Sequence, residues 1–123
     1  MGLIFDISTV TEINTEIFRG DDEVWVVVLN QKNGDPADIT IADSIFFTVR
    51  TKVDGDELFN YSKGSGIEIT DGPNGEFEIT HLSAKTVSEV PGIYEYDIEY
   101  SDPTNGKRTV ARGKFKIKGD ITI

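Results

Sequence analysis

From Gly66 to Ile117, large apolar residues fall on every second position with charged or polar residues between them. Gly66-Ile67-Glu68-Ile69-Thr70 breaks at Asp71-Gly72-Pro73-Asn74-Gly75, and Glu76-Phe77-Glu78-Ile79-Thr80 follows. Beyond Pro91-Gly92 comes Ile93-Tyr94-Glu95-Tyr96-Asp97-Ile98-Glu99-Tyr100, and past Asn105-Gly106 comes Lys114-Phe115-Lys116-Ile117-Lys118. Alternation of this kind marks strands with one dry face and one wet face. The same reading places strands over 13–18, 23–30, 44–52, 57–62, 66–70, 76–81, 93–101 and 108–118. Asn33-Gly34-Asp35-Pro36, Asp54-Gly55-Asp56 and Asp102-Pro103-Thr104-Asn105-Gly106 supply the turns between them. Ser83 to Val90 is the helical candidate, a single turn with Ser83 as its N-cap and Pro91-Gly92 as its stop. The pattern predicts an all-β fold, a β-sandwich of seven to eight antiparallel strands with one short helical turn.

Three places break the alternation. In 23–30, Val24, Val26 and Val28 interleave with Trp25, Val27 and Leu29, so both faces of that strand are apolar. One set must fill the core, and the other needs cover from a loop, a neighbouring strand or another protein. Phe46 falls out of phase with Ile45, Phe47 and Val49 and raises the same question. The ends, Leu3-Ile4-Phe5 and Ile121-Thr122-Ile123, are short apolar β-prone pieces outside the alternating region. The expected organisation is an N-terminal arm over 1–16, a sandwich over 17–118 and a C-terminal tail over 119–123. Terminal segments fray unless something holds them, so residues 1–12 and 119–123 are expected to contact other chains by adding to a neighbour's sheet edge or sitting in its groove. The candidate interface is therefore Leu3, Ile4, Phe5, Val24, Val26, Val28, Phe46, Ile121 and Ile123.

At 123 residues the chain is the size of one domain. Its apolar fraction is only 37%, but seven Phe, four Tyr and one Trp can fill a thin two-layer core. The net charge of −10 opposes nucleic-acid backbones and anionic membranes and favours solubility at high local concentration. The lack of cysteine fits folding in a reducing cytosol. Asp6 follows Met1-Gly2-Leu3-Ile4-Phe5 where a signal peptide would carry basic residues and a longer apolar run, so secretion by that route is not expected. The longest apolar run, Val24 to Leu29, is far short of a membrane span. On the outer faces of the last two strands, Glu95, Asp97 and Glu99 stand ready to meet Lys114, Lys116 and Lys118, a pairing that fixes register more than it adds stability.

Catalytic chemistry finds no foothold. His81 is the sole histidine and has no recognisable partner for general-base work. One histidine and no cysteine argue against zinc. Asp21-Asp22-Glu23, Asp54-Gly55-Asp56-Glu57 and Asp71 have the charge for calcium but lack calcium-loop spacing. Arg19-Gly20-Asp21 spells an adhesion tripeptide, and its ordinary role is the bend into the next strand. No cofactor is expected, and the enzyme reading has no positive feature behind it.

Three segments in order carry a resemblance: Phe18-Arg19-Gly20-Asp21 with Asn33-Gly34-Asp35-Pro36-Ala37-Asp38-Ile39-Thr40; Ser44 through Val53; and Gly64 to Asp71 running through Gly75-Glu76-Phe77, Pro91 to Asp97 and Gly113-Lys114-Phe115. Together, over about residues 17 to 118, they resemble the immunoglobulin-like domain of tailed-phage structural proteins, notably the N-terminal domain of the phage baseplate upper protein. The resemblance implies an immunoglobulin-like sandwich with Trp25, Val27 and Leu29 inward and Val24, Val26 and Val28 outward. Tyr94 takes the position of a tyrosine that hydrogen-bonds back over a corner, and Tyr96 that of the cysteine two residues later. The expected core is Trp25, Val27, Leu29, Ile45, Phe47, Val49, Ile67, Ile69, Phe77, Ile79, Tyr94, Tyr96, Ile98, Phe115 and Ile117. The function implied is a multi-copy virion structural protein of the tail, baseplate or neck. It would be assembled in the bacterial host cytoplasm and would work through contacts with copies of itself and other virion proteins, with no nucleic acid and no membrane. The alternatives are a capsid decoration protein and a carbohydrate- or host-receptor-binding adhesin, the latter needing an exposed aromatic platform from Phe46, Phe59 and Tyr61.

Overall fold

The computed structural model describes residues 2–52 and 55–119. It contains β1 (Gly2–Asp6), β2 (Thr11–Glu12), β3 (Thr15–Phe18), β4 (Glu23–Asn30), β5 (Ser44–Arg50), β6 (Glu57–Lys63), β7 (Gly66–Asp71), β8 (Glu76–His81), β9 (Gly92–Asp102) and β10 (Gly106–Lys118). A 3-10 turn spans Gly72–Asn74, and the single helical turn α1 spans Ser83–Thr86. The strands form one hydrogen-bonded path, β1-β4-β8-β7-β6-β5-β9-β10-β2, with β3 also on β10. At β6–β7 the joint is only two residue pairs, Ser62 with Gly66 and Lys63 with Ile67. The path folds over at that joint, and Trp25 of β4 meets Phe47 of β5 and Phe115 of β10 at centroid distances of 5.7 and 6.0 Å. One layer is therefore β1-β4-β8-β7, the other β6-β5-β9-β10 with β2 and β3, and the core lies between them.

The all-β sandwich matches the alternation, with two differences. Among the described residues there are ten strands, and the pairings β1·β4, β6·β7, β10·β2 and β10·β3 are parallel. The N-terminal segment is no loose arm: Gly2–Asp6 lies along Val26–Asn30 in parallel register, and Leu3 and Phe5 are 4% and 2% exposed within the core. Ile7 and Ile17 follow them inside. By pairing with β4, the five-residue β1 gains backbone partners and buries two large side chains, which offsets the entropy of ordering it.

Of the fifteen residues expected in the core, Ile69 and Tyr94 are only partly buried and pack against its edge; the rest are buried. Trp25, Val27 and Leu29 are completely enclosed. The core also takes Phe59, Tyr61, Tyr100, Val110 and Ala111, together with Ala37, Ile39 and Ala42 from the 31–43 connection. That connection is tied down where the Leu29 N–H donates to the Gly75 carbonyl and the Ala37 N–H to the Leu29 carbonyl, at 2.9 and 3.0 Å. Gly75 makes this crossing possible: its φ is +74°, and a Cβ there would lie 2.3 Å from the Leu29 carbonyl oxygen. Ser83 is the first residue of α1 rather than its cap; Leu82 precedes it in extended backbone, and the Ser83 N–H is satisfied by the Asp22 carboxylate at 2.6 Å.

Candidate interaction surface

The outer face of the first layer is built by β4 and its neighbours. Because Trp25, Val27 and Leu29 point inward, Val24, Val26 and Val28 must point out. β1 runs beside β4 with Ile4 opposite Val28 and Gly2 opposite Val26. Ile4 is 69% exposed, Val24 46%, and Val26 and Val28 are half-buried by their neighbours. On the other side β8 sets Thr80, Glu78 and Glu76 against Val24, Val26 and Val28, and β7 sets Glu68 against Glu78. The face is thus an apolar row beside a row of carboxylates. β1 ends the strand path, so its outer backbone edge carries no strand among the described residues.

The structure brings together four of the sequence candidates, Ile4, Val24, Val26 and Val28, and separates the others. Leu3 and Phe5 are corrected from interface to core, because the strand alternation that exposes Ile4 turns its two neighbours inward. Phe46 is 38% exposed but lies on the opposite layer, between Glu99 of β9 and Ser62 of β6. Ile121 and Ile123 lie outside the described residues. Phe59 and Tyr61 are buried, which leaves Phe46 without the two rings an aromatic platform would need.

The outer face of the second layer is charged. Lys114 meets Glu95 at 3.3 Å, Arg50 meets Asp97 at 3.6 Å and Lys107 meets Glu99 at 3.4 Å across the ladder. Lys118 and Arg112 turn the other way, to Glu16 and Glu12 of β3 and β2, at 3.1 and 2.8 Å. Lys116 sits opposite Ile93. The β10 ladder shifts register between Thr109 and Ala111, and beside it lies a shallow depression of about 520 Å³ whose lining includes Glu12, Arg50, Glu95, Asp97 and Arg112. Partial burial raises the pKa of Asp97 above its usual value, against the pull of Arg50. Its charges are internally matched, so this face is a solvated ion-pair network in character.

The sequence reading missed an apolar cluster at the α1 end, where Leu82, Val87, Val90 and Ile93 are all exposed, Val90 at 72%. The signal was available: a one-turn helix cannot bury four large residues spread over twelve positions. The Tyr94 hydroxyl donates to the Val90 carbonyl four residues back, and that of Tyr96 to the Ile13 carbonyl at 2.7 Å. His81 lies inside the core among aromatic rings, out of reach of any substrate. Among the described residues no three His, Cys, Asp or Glu side chains converge to hold a metal, and no helix is long and apolar enough to cross a membrane.

No family model and no curated protein sequence matches this chain. Among solved structures, the fold is similar to the N-terminal domain of phage TP901-1 ORF48, with a TM-score of 0.55 and 12% sequence identity over 96% of this chain and 99% of that one.

Proposed function

We propose that this chain is a bacteriophage virion structural protein, a multi-copy immunoglobulin-like assembly module of the tail, baseplate or neck. The observation that carries the reading is the end-to-end likeness of fold to a phage domain of the same length. The ordered sequence resemblance points the same way, as does the Tyr94 hydroxyl closing a corner at the entry to β9. In this reading the protein works without catalysis, through contacts with copies of itself and with other virion proteins.

The contact face is Ile4, Val24, Val26 and Val28, with the open edge of β1 offering main-chain donors and acceptors to a partner strand. Phe46 is a second contact point on the opposite layer, and Ile121 and Ile123 are candidate tail contacts. Weak contacts repeated around a symmetric ring hold an assembly without one strong interface. The test is direct: mass spectrometry of purified particles, followed by electron microscopy that locates the chain. Finding it in the tail or baseplate in several symmetry-related copies supports the reading. Particles of normal composition without it would sink the proposal, and glycan-array binding by the isolated chain would favour the adhesin.

A further inference from the structure

His81 is the last residue of β8, immediately before the Leu82–Pro91 crossover, and it is fully buried. Its ring is enclosed by Trp25, Tyr61, Phe47 and Phe115 at centroid distances of 4.1, 5.2, 5.3 and 5.8 Å. Among the described residues, neither Nδ1 nor Nε2 has a hydrogen-bond partner. A buried polar group without partners is costly, and a buried cation without partners is far more so. The crossover that follows it is held through the buried Thr86 and a short set of hydrogen bonds, among them Arg19 to the Glu89 carbonyl at 3.5 Å and the Tyr94 hydroxyl to the Val90 carbonyl. The Leu82 N–H donates to the Tyr61 hydroxyl at 3.3 Å, the Ser83 N–H to Asp22, and the Gly20 N–H to the Thr86 hydroxyl at 2.9 Å. Leu82, Val87 and Val90 contribute little burial to hold it.

We propose that His81 is an acid-sensitive pin: protonation of its ring releases the 82–91 crossover from the end of the sandwich. Among the described residues, no carboxylate stands within hydrogen-bond reach of either ring nitrogen. From β4 the titratable neighbour is Glu23, paired with His81 in register and already accepting the Trp25 Nε1–H at 2.9 Å. From β6 it is Tyr61, whose hydroxyl serves Leu82 and whose pKa burial pushes up to about 12. Lys85 of α1 stands 6.0 Å over the Tyr61 ring, and Tyr96 of β9 stacks on Phe47. Phe47 and Phe115 bring no charge from β5 and β10, since Lys114 and Lys116 point to the opposite face. Once the ring swings out, Glu23 and Asp22 are the carboxylates nearest in the chain pairing to receive the imidazolium.

The direction follows from burial, which lowers the His81 pKa from 6.5 to about 4. Above pH 6.5 the ring is neutral whether the crossover is closed or open. Between about 6.5 and 4 only the open form takes up the proton, so acid draws the population open by about tenfold per pH unit. Below about 4 both forms are charged and the effect saturates.

Two measurements on the full chain test this. As the sole histidine, His81 gives an unambiguous ring-proton signal in NMR, and it should remain neutral in the closed form well below pH 6. Hydrogen exchange, corrected for intrinsic rate, should show the amides of Leu82, Ser83, Lys85 and Val87 losing protection about tenfold per pH unit from 6.5 towards 4, while β9 amides hold. His81→Phe and His81→Leu should abolish that slope. A closed-form ring titrating near 6.5, protection in 82–91 flat with pH, loss spread evenly over all strands, or an unchanged slope in both variants would each overturn the proposal.

Discussion

Trp25 touches both layers: it sits on β4 and contacts rings from β5, β8 and β10. Truncation would leave a cavity that rigid sheets on either side cannot collapse into, so Trp25→Ala should cost about 3–5 kcal/mol. A thermal melt within a degree or two of wild type would contradict that placement. A different single-residue device stands at the β9–β10 turn. Asp102 is buried, and its carboxylate accepts bonds from the Tyr100 hydroxyl, the Asn105 side chain and the Thr104 and Asn105 N–H groups. Burial opposes its ionisation, but these donors outweigh it and hold its pKa below the usual carboxylate value of 3.8. A depressed carboxyl pKa contributes stability that is present above the unfolded value and lost as pH falls through the folded one. Asp102→Asn should therefore lower stability by about 1–3 kcal/mol at pH 7, and it should flatten the decline of stability below about pH 4 seen in wild type. A variant whose acid limb overlays that of wild type would show that the turn draws nothing from the charge.

β1 is the element on which sequence and structure part most clearly. Strands with strict alternation were legible because period-2 burial is a local property: Glu76-Phe77-Glu78-Ile79 declares its faces without reference to anything else. Gly2-Leu3-Ile4-Phe5-Asp6 declares none, because three consecutive apolar residues carry no phase. Its faces are set by a partner twenty-four residues away, in a parallel register that no local pattern encodes. The same holds for Ala37, Ile39 and Ala42, buried by tertiary closure of a segment that reads as loop. The interface list was half legible for this reason: β4 gave Val24, Val26 and Val28 by phase, while the N-terminal candidates were divided by a pairing that had to be seen. β1 is consequently part of the folded unit. Leu3→Ala and Phe5→Ala should each cost about 2–5 kcal/mol, whereas Ile4→Ala should change stability by under about 0.5 kcal/mol. Urea denaturation of the three variants separates them, and a destabilised Ile4→Ala beside a neutral Phe5→Ala would reverse the assigned faces.

For the whole molecule, the charge distribution decides how copies can meet. A net charge of −10 makes free copies repel, and the second layer's lysines and arginines are largely spent on carboxylates of their own chain. In the assembly proposed above, close packing of copies would rest on a face where apolar burial outweighs repulsion, and Ile4 with Val24, Val26 and Val28 is the row beside the open β1 edge. The neighbouring Glu68, Glu76 and Glu78 favour a partner surface bearing lysine or arginine. Ile4→Glu combined with Val24→Glu places charge on exposed positions, so the fold should keep its melting temperature within a few degrees. If the chain is the virion component proposed above, complementation of a phage that lacks it should nonetheless yield particles without the protein, because each new carboxylate would have to be desolvated against the existing acidic row. Ile93→Glu is the matched control, equally exposed but on β9 at the α1 end, and it should incorporate normally. If the double variant folds and incorporates as well as Ile93→Glu, the first layer is not the assembly face. If Ile93→Glu alone is excluded, the apolar cluster of Leu82, Val87, Val90 and Ile93 takes its place.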